Sequence, residues 1–424
     1  MRALLTSHGS TGDIYPVIAL GKAMKEAGHE VKFATVDFFK DEVERAGLEF
    51  VSVPPDWDKE RLSEAMRTLS RKKNPIRLLQ AIYQQSIPFI GELMNRLEEA
   101  MEDCDLVVSS YLFAHFRVLA LKKKKPFAVI TFSHNVVPSP NYPPFPTAKL
   151  WLMPRFAQTL WNRLLWRASD RFILLALNRT MGKHMKKAGR PKIKHFLMNP
   201  GDISLVAVSD KLLNTSPNPS HSKFQFTGYL RWQSEEDPEL DVLLNEFCKG
   251  EKVPILNFGS VSFDKTEQIL ARFMENWPAG KKLIMQTGWA NLSSQNRPEV
   301  LVIGKVSHDQ LFRYGSVVIH HGGAGTTASA LHAGVPQIVI PHFGDQFMWS
   351  REVRKLGAGI PIRRKRWPER LIAGVHYIES HPHFQKKATE ISEVLATEDG
   401  EGNAVRALEQ LYATWYPVTK EARL

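Results

Sequence analysis

The sequence predicts an α/β protein made of two doubly wound parallel-sheet domains. Three observations carry that reading. From residue 3 to residue 131, short apolar runs alternate with helical patterns, as expected for strands joined by crossover helices rather than hairpins. A polar, proline-containing stretch at 214–222 interrupts the alternation, which restarts at residue 253. The length of 424 residues suits two domains of ordinary size. The division drawn from these signals is 1–213, a linker at 214–222, a second domain at 223–402 and a last helix within 403–424.

In chain order, residues 3–6 read as a strand and His8-Gly9-Ser10-Thr11-Gly12-Asp13 as the turn after it. Residues 16–27 read as a helix, because Val17, Leu20, Met24 and Ala27 share a face and Gly28 follows the end. A strand at 31–35, a helix at 37–46 and a strand at 50–53 follow, then long helices at 59–72 and 75–101. Strands at 106–109, 127–131 and 205–209 complete the first sheet. After the linker come strands at 253–258, 282–286, 300–303, 317–319 and 337–340, with a helix at 263–276. The last helix, near 403–415, has Leu408, Leu411, Tyr412 and Trp415 as its packing stripe. The first turn is not a dinucleotide fingerprint, since Gly9-x-x-Gly12 lacks the leading glycine of that pattern.

Composition excludes several classes. Apolar content of 43% is globular. Cys104 and Cys248 have neither ligand spacing nor a disulfide framework, which suits a reducing compartment. The opening residues are interrupted by His8-Gly9 too soon for a signal peptide, and no apolar run reaches the ~18 residues of a membrane span. The expectation is a cytoplasmic chain. Of the net charge of +12, the segment 117–194 carries +16, from seventeen Arg or Lys against the single acid Asp170, so the remainder is net acidic by about four.

The stretch 315–346 names a chemistry. A buried-strand signal, Val317-Val318-Ile319, runs into His320-His321-Gly322-Gly323-Ala324-Gly325-Thr326-Thr327 and then a helical pattern over 328–332. A strand, a small-residue turn and a helix start together aim free backbone N–H groups and a positive dipole end outward, which suits a phosphate. The strand at 337–340 then delivers Asp345-Gln346 to the same mouth. A carboxylate beside an amide accepts from and donates to vicinal hydroxyls, as sugar recognition requires.

HHGGAGTT followed by PHFGDQFMW resembles the nucleotide-sugar signature of the inverting GT-B glycosyltransferases, the UDP-glycosyltransferase superfamily (family 1). It is most similar to the sterol glucosyltransferases, antibiotic-aglycone glycosyltransferases and bacterial rhamnosyltransferases. The resemblance implies two Rossmann-like domains facing a central cleft, with the last helix crossing back to the first. It implies that the turn after the first strand supplies the base. Some members carry His there, and members with GSxGD carry Asp, so Gly9-Ser10-Thr11-Gly12-Asp13 assigns the base to Asp13. On position alone Asp13 is equally a helix-capping acid. Ser10, Thr11 and Gly12 are carried over as donor-binding. His321 becomes the phosphate ligand, with Gly323, Ala324, Gly325 and Thr326 beneath the diphosphate, and Ser260 approaches it from the strand at 253–258. Val306 reads uracil through its backbone, Trp289 is a candidate wall of that pocket, and Asp345 and Gln346 hold the sugar hydroxyls in a pattern that looks glucose-using. Plant-type members have a stacking Trp near Val306, which this chain lacks, so the nucleotide stays open.

Asp56-Trp57-Asp58 and Asp103-Cys104-Asp105 match the D-x-D of manganese-dependent transferases, but turn chemistry explains them better, and the resemblance requires no metal. On the acceptor side the candidates are Tyr111, Phe113, His134, Trp151, Phe156 and Trp161. Leu152, Phe156, Leu160, Trp161, Leu164, Leu165 and Trp166 recur near helical spacing among Arg155, Arg163, Arg167 and Arg171. This is either an ordinary packed helix with a solvated basic face or an interfacial helix on anionic lipid, which Lys122–Lys125 would reinforce. No nucleic-acid-reading module is present. The expected protein transfers a hexose, from UDP-glucose, to a small lipophilic alcohol, with nucleotide sugar and acceptor as its partners and no cofactor. A dTDP-rhamnose-type transferase, a peripheral lipid-binding protein with a vestigial sugar site and a nucleotide-sugar epimerase are the rivals.

Overall fold

The structure, a computed structural model, describes residues 1–72, 74–144, 154–212, 223–232, 236–257, 273–286, 297–364 and 367–421. The chain divides into two compact units. The first comprises Met1–Asp58, Asn74–Leu230 and Asp399–Leu424, and the second Lys59–Lys73 and Arg231–Glu398.

The first unit is built on β1 (Arg2–Thr6), β2 (Glu30–Thr35), β3 (Glu49–Ser52), β4 (Leu106–Ser110), β5 (Phe127–Thr131), β6 (Ile203–Val206) and β7 (Phe224–Phe226). They form one sheet in the order β3-β2-β1-β4-β5-β6-β7, and each neighbouring pair is parallel. The second unit repeats the plan with β8 (Val253–Asn257), β9 (Leu283–Gln286), β10 (Val300–Ile303), β11 (Gly315–His320), β12 (Gln337–Val339) and β13 (Gly359–Pro361), ordered β10-β9-β8-β11-β12-β13. Every residue of β4, β5 and β8 is buried, as strands covered on both faces must be. In each unit the strand order reverses once, between β1 and β4 and between β8 and β11. The carboxyl ends of the strands flanking such a reversal are where open α/β sheets bind ligands.

Several boundaries differ from the sequence reading for identifiable reasons. Helix α1 spans Thr11–Glu26, five residues earlier than residue 16, because Ser10 and Asp13 form a capping box that starts it. Pro16 therefore lies inside the helix and cannot donate to the carbonyl of Gly12. After α2 (Lys40–Arg45) and α3 (Lys59–Ser70), the predicted helix 75–101 is two, α4 (Pro75–Ser86) and α5 (Ile90–Ala100), separated by a single 3₁₀ turn at Ile87–Phe89 that contains Pro88. The last helix runs Gly400–Glu421. It packs on the first unit, where Asn403 Nδ2 donates to Thr227 O (2.8 Å) and His29 Nε2 meets Glu409 Oε1 (2.9 Å). The predicted linker 214–222 and most of the helix at 263–276 lie outside the described residues.

Part of the local positive charge is answered by acids and carbonyls of the same unit. Lys122 pairs with Glu98 (2.5 Å), Lys123 pairs with Glu102, and Lys125 donates to the carbonyls of Glu102 and Cys104. The lysine run therefore does not reinforce an outer basic face; acids more than twenty residues upstream, invisible to a local charge count, answer it. Arg117, at the start of α6 (Arg117–Lys122), bonds Asp202 Oδ1 (2.7 Å) and Asn199 O (2.7 Å), while Asp202 Oδ2 accepts from Phe127 N (2.9 Å). The pair is nearly buried, with 8% and 17% of the side chains exposed. Removing one member strands the other's charge, so Arg117→Ala should destabilise the protein by roughly 3–5 kcal/mol in urea unfolding.

Candidate active site

In the second unit the site grows from the end of β11. Burial lowers the His320 pKa to about 4. Its Nδ1 accepts from Gly322 N (3.1 Å), so Nε2 carries the proton and donates to Gln337 Oε1 (2.9 Å). His320 thus braces the turn. Gly322 has φ +89°, and a Cβ there would lie 2.6 Å from Val339 Cγ1 and 3.2 Å from Gln346 O. Only glycine lets the chain turn here while touching both β12 and the loop beyond it. The next helix, Ala324–His332, starts from Gly323 with no side-chain cap, so its first N–H groups stay available to an anion.

His321 lies over this opening: a Cβ on Gly323 would fall 2.5 Å from His321 Nε2. The His321 ring is buried, and Nδ1 has no hydrogen-bond partner among the described residues. Burial first, then the neighbouring imidazoles of His320, His342 and His308, holds its pKa well below the usual value. His321 is therefore a neutral imidazole able to donate one hydrogen bond, and the opening's positive potential comes from the helix end.

The loop after β12 is fastened to the same place. Ile340 N donates to His320 O (2.8 Å). Gln346, the first residue of the helix Gln346–Lys355, folds its side chain back so that Oε1 accepts from His342 N (2.8 Å) and Phe343 N (3.2 Å). Both lone pairs of that oxygen are used, so toward a sugar Gln346 can only donate through Nε2, leaving acceptance to the Asp345 carboxylate. Asp345 occupies the position just before this helix, makes no side-chain capping bond to it and is partly exposed.

At the carboxyl ends of β8, β9 and β10, Gln286 Nε2 donates to Val306 O (3.0 Å), fixing the segment that the sequence reading assigned to the base. Two groups here escaped that reading. Asn257, wholly buried, bonds both Gln286 and His308. Arg364, just past β13, is close enough to help depress the His342 pKa, which burial chiefly lowers to about 3. Its run Arg363-Arg364-Lys365-Arg366 looks like ordinary surface charge. Ser260 and Trp289 lie outside the described residues.

In the first unit the turn after β1 closes on Asp13. Asp13 Oδ2 accepts from Ser10 N (2.8 Å) and Ser10 Oγ (3.0 Å), and its carbonyl accepts from Ser7 Oγ (2.8 Å). The capping role weighed from sequence is thus real and uses one carboxylate oxygen. A Cβ on Gly9, at φ +133°, would sit 2.4 Å from Oδ2, so the carboxylate lies directly over that glycine. Burial raises the Asp13 pKa above the ordinary carboxylate value, against the lowering effect of the two Ser10 bonds. Ser10, Thr11 and Gly12 form the first turn of α1.

His8 packs against Phe113 (4.9 Å between ring centres), and burial lowers its pKa to about 4. Ser109 and Ser110 are buried and place no carboxylate behind it. Tyr111 and Phe113 are buried in the core of this unit, Tyr111 against Phe196 (5.1 Å). His134 opens a short turn after β5 and is partly exposed. On α7 (Arg155–Lys187), Phe156 and Trp161 are 79% and 44% exposed, whereas Trp166 is buried and donates to Tyr142 O (2.7 Å). Trp151 is outside the described residues. Asp103 pairs with Lys32 (2.9 Å) and Asp105 accepts from Arg2 N (2.7 Å), at the strands' amino ends, opposite the Asp13 turn. No cluster of three or more His, Cys, Asp or Glu side chains fit for a metal occurs among the described residues.

Two parallel-sheet units of this order, with an open helix N-terminus at the second unit's strand reversal, define the GT-B class of fold. Residues 3–90 match the model of the glycosyltransferase family 28 N-terminal domain, and residues 287–411 that of the erythromycin biosynthesis protein CIII-like C-terminal domain. The O-mycaminosyltylonolide 6-deoxyallosyltransferase of Streptomyces fradiae is 25% identical, covering 97% of each chain. The sterol 3-beta-glucosyltransferase of Komagataella phaffii is 26% identical over 96% of this chain, which spans only 34% of that enzyme's length. Among solved structures, a Streptomyces sp. SF2575 glycosyltransferase complexed with thymidine diphosphate superposes with a TM-score of 0.64, at 18% identity, over 97% of this chain and 99% of that one. The chain belongs to the GT-B glycosyltransferases.

The raised pKa of Asp13 has a stability consequence with a definite sign. An acid whose folded pKa lies above its unfolded value contributes stability when protonated, and that contribution is lost as pH rises through the folded pKa. Asp13→Asn, which can still accept from Ser10, should therefore have a higher unfolding midpoint than wild type at pH 7. The difference should close as pH falls to the ordinary aspartate value of 3.8.

Proposed function

We propose that this chain is an inverting, metal-independent glycosyltransferase that moves glucose from UDP-glucose onto a hydroxyl of a small lipophilic acceptor such as a sterol, terpenoid, carotenoid, polyketide or hydroxy-lipid. The observation that carries the donor half is the meeting, at Gly322, of an uncapped helix N-terminus under His321 with the Asp345–Gln346 loop. The diphosphate lies on the N–H groups of residues 324–326 and on the neutral His321, and the sugar hydroxyls donate to Asp345 and accept from Gln346 Nε2. Asp13 takes the acceptor proton on its carboxylate as the acceptor oxygen bonds to the anomeric carbon. The bond from that carbon to the diphosphate breaks with both electrons leaving on the diphosphate, and displacement inverts the anomeric centre to a β-glycoside. The raised Asp13 pKa moves it toward that of a useful base.

A second donor reading, a dTDP-deoxysugar, is favoured by two comparisons: one relative is a 6-deoxyallosyltransferase, and one structural neighbour is complexed with thymidine diphosphate. The reading also extends to a surface. Phe156, Leu160, Trp161, Leu164, Phe172 and Leu175 are exposed along α7 among the exposed Arg163, Arg167 and Arg171, a composition suited to an anionic bilayer.

The decisive assay is nucleoside diphosphate release from a panel of UDP- and dTDP-sugars, with and without pooled lipophilic alcohols. Release should require acceptor and favour UDP-glucose, and Asp13→Ala should lower it by roughly 10²–10⁴-fold. The rate should fall as pH drops through the Asp13 pKa, since the carboxylate is the working form. Release without acceptor, or undiminished in the variant, would sink the mechanism; a preference for dTDP-sugars would install the second donor. For the surface, flotation with anionic and neutral vesicles should show binding to the anionic set alone. Equal behaviour with both would remove the membrane from the reading.

A further inference from the structure

Three side chains at the carboxyl ends of β8, β9 and β10 form a closed relay whose members carry no role in the reaction described above. Asn257 Nδ2 approaches Gln286 Oε1 (2.6 Å) and His308 Nε2 (2.7 Å), and Gln286 Nε2 continues to Val306 O (3.0 Å). An amide nitrogen has two hydrogens and no lone pair to offer, so Asn257 gives one to each neighbour and both neighbours must accept. His308 Nε2 is therefore the bare nitrogen, and the proton sits on Nδ1. Burial lowers the His308 pKa to about 4, and its ring stacks on Phe312 (4.8 Å, 12° between planes), so it is held neutral and in one orientation.

The relay costs buried polar surface. Asn257 is wholly buried and Gln286 is 7% exposed, in strands where apolar residues would pack at no such cost. Both of its outer ends land on the loop Gly304–Ser307 and the first residue after it. That loop follows β10 at the binding edge of the sheet, and a loop has no ladder hydrogen bonds of its own to set its carbonyl directions.

We propose that Asn257, Gln286 and His308 are positioning residues that fix the Val306 peptide for reading the nucleobase of the donor, making base recognition separable from diphosphate binding. This rests on the donor-site reading given above and adds to it the residues that hold the base-reading backbone. Gln286 is the central member: it holds the Val306 carbonyl in place, and its own orientation is set by Asn257. The diphosphate opening under His321 is built from β11 and the helix Ala324–His332, whereas Gln286 ends β9 and Val306 follows β10.

The test compares a ligand with a base to one without. UDP, dTDP and inorganic pyrophosphate are titrated calorimetrically against wild type, Gln286→Glu and Gln286→Met. Gln286→Glu keeps the shape and the acceptor for Asn257 but loses the N–H to Val306; Gln286→Met loses both. Unfolding midpoints report whether each variant is folded. The expected result is a loss of about tenfold in affinity for the nucleotide that wild type prefers, the size of one hydrogen bond, with pyrophosphate affinity unchanged. Parallel weakening of nucleotide and pyrophosphate would mean a general structural role and would overturn the proposal, as would unchanged nucleotide binding. Wild type that binds neither nucleotide would instead overturn the donor-site reading, and this inference with it.

Discussion

The missing Cβ of Gly322 is the constraint on which the second unit's site depends. At that point the chain leaves β11, turns through a left-handed backbone and starts a helix, while pressed against Val339 on one side and Gln346 on the other. Everything around it is arranged to keep the approach: His320 holds the Gly322 N–H, Ile340 bonds back to His320, and Gln346 ties down the loop that follows. The turn proposed to hold an anion and the loop proposed to hold a polyol are thereby made into one rigid object. Their spacing is set by backbone contact rather than by long, adaptable side chains.

The electrostatics of that object rest on dipoles. The imidazoles of His308, His320, His321 and His342 all have lowered pKa values and stay neutral near pH 7, because burial removes the water that would solvate an imidazolium. Four neighbouring histidines beside a proposed diphosphate site look, in a sequence, like a cationic pocket. In the fold they are neutral donors and acceptors of fixed orientation, and the favourable potential for a diphosphate comes from helix N–H groups, with the Arg364 guanidinium nearby.

Much of this was legible beforehand, and the residues show why. The alternation of short apolar runs and helical patterns is a direct image of buried parallel strands and their crossovers, so the two-sheet architecture could be read with boundaries off by a few residues. The Gly-rich turn and the Asp345-Gln346 pair were readable because each is contiguous. What failed was non-local or depended on geometry. Pro16 suggested a helix start, but the capping box at Ser10 and Asp13 decided it earlier. Lys122, Lys123 and Lys125 looked like a basic patch until Glu98 and Glu102 were brought beside them. Asn257, Gln286 and His308 lie far apart in the chain and only three-dimensional pairing makes them a set. The two uses of Asp13, cap and candidate base, coexist because they draw on different oxygens of one carboxylate.

Gln346 has an implication for how such a protein could change its sugar. Its oxygen is the fastening of residues 342 and 343, and its nitrogen is what remains to face a ligand. If Gln346 holds a sugar hydroxyl as proposed, selectivity and mechanical support are lodged in one amide. A substitution chosen to suit a different hydroxyl pattern would also slacken the loop it stands on. Divergence toward new donors should therefore proceed by exchange of the whole segment from Pro341 to Gln346, as a cassette, more readily than by point replacement at its end.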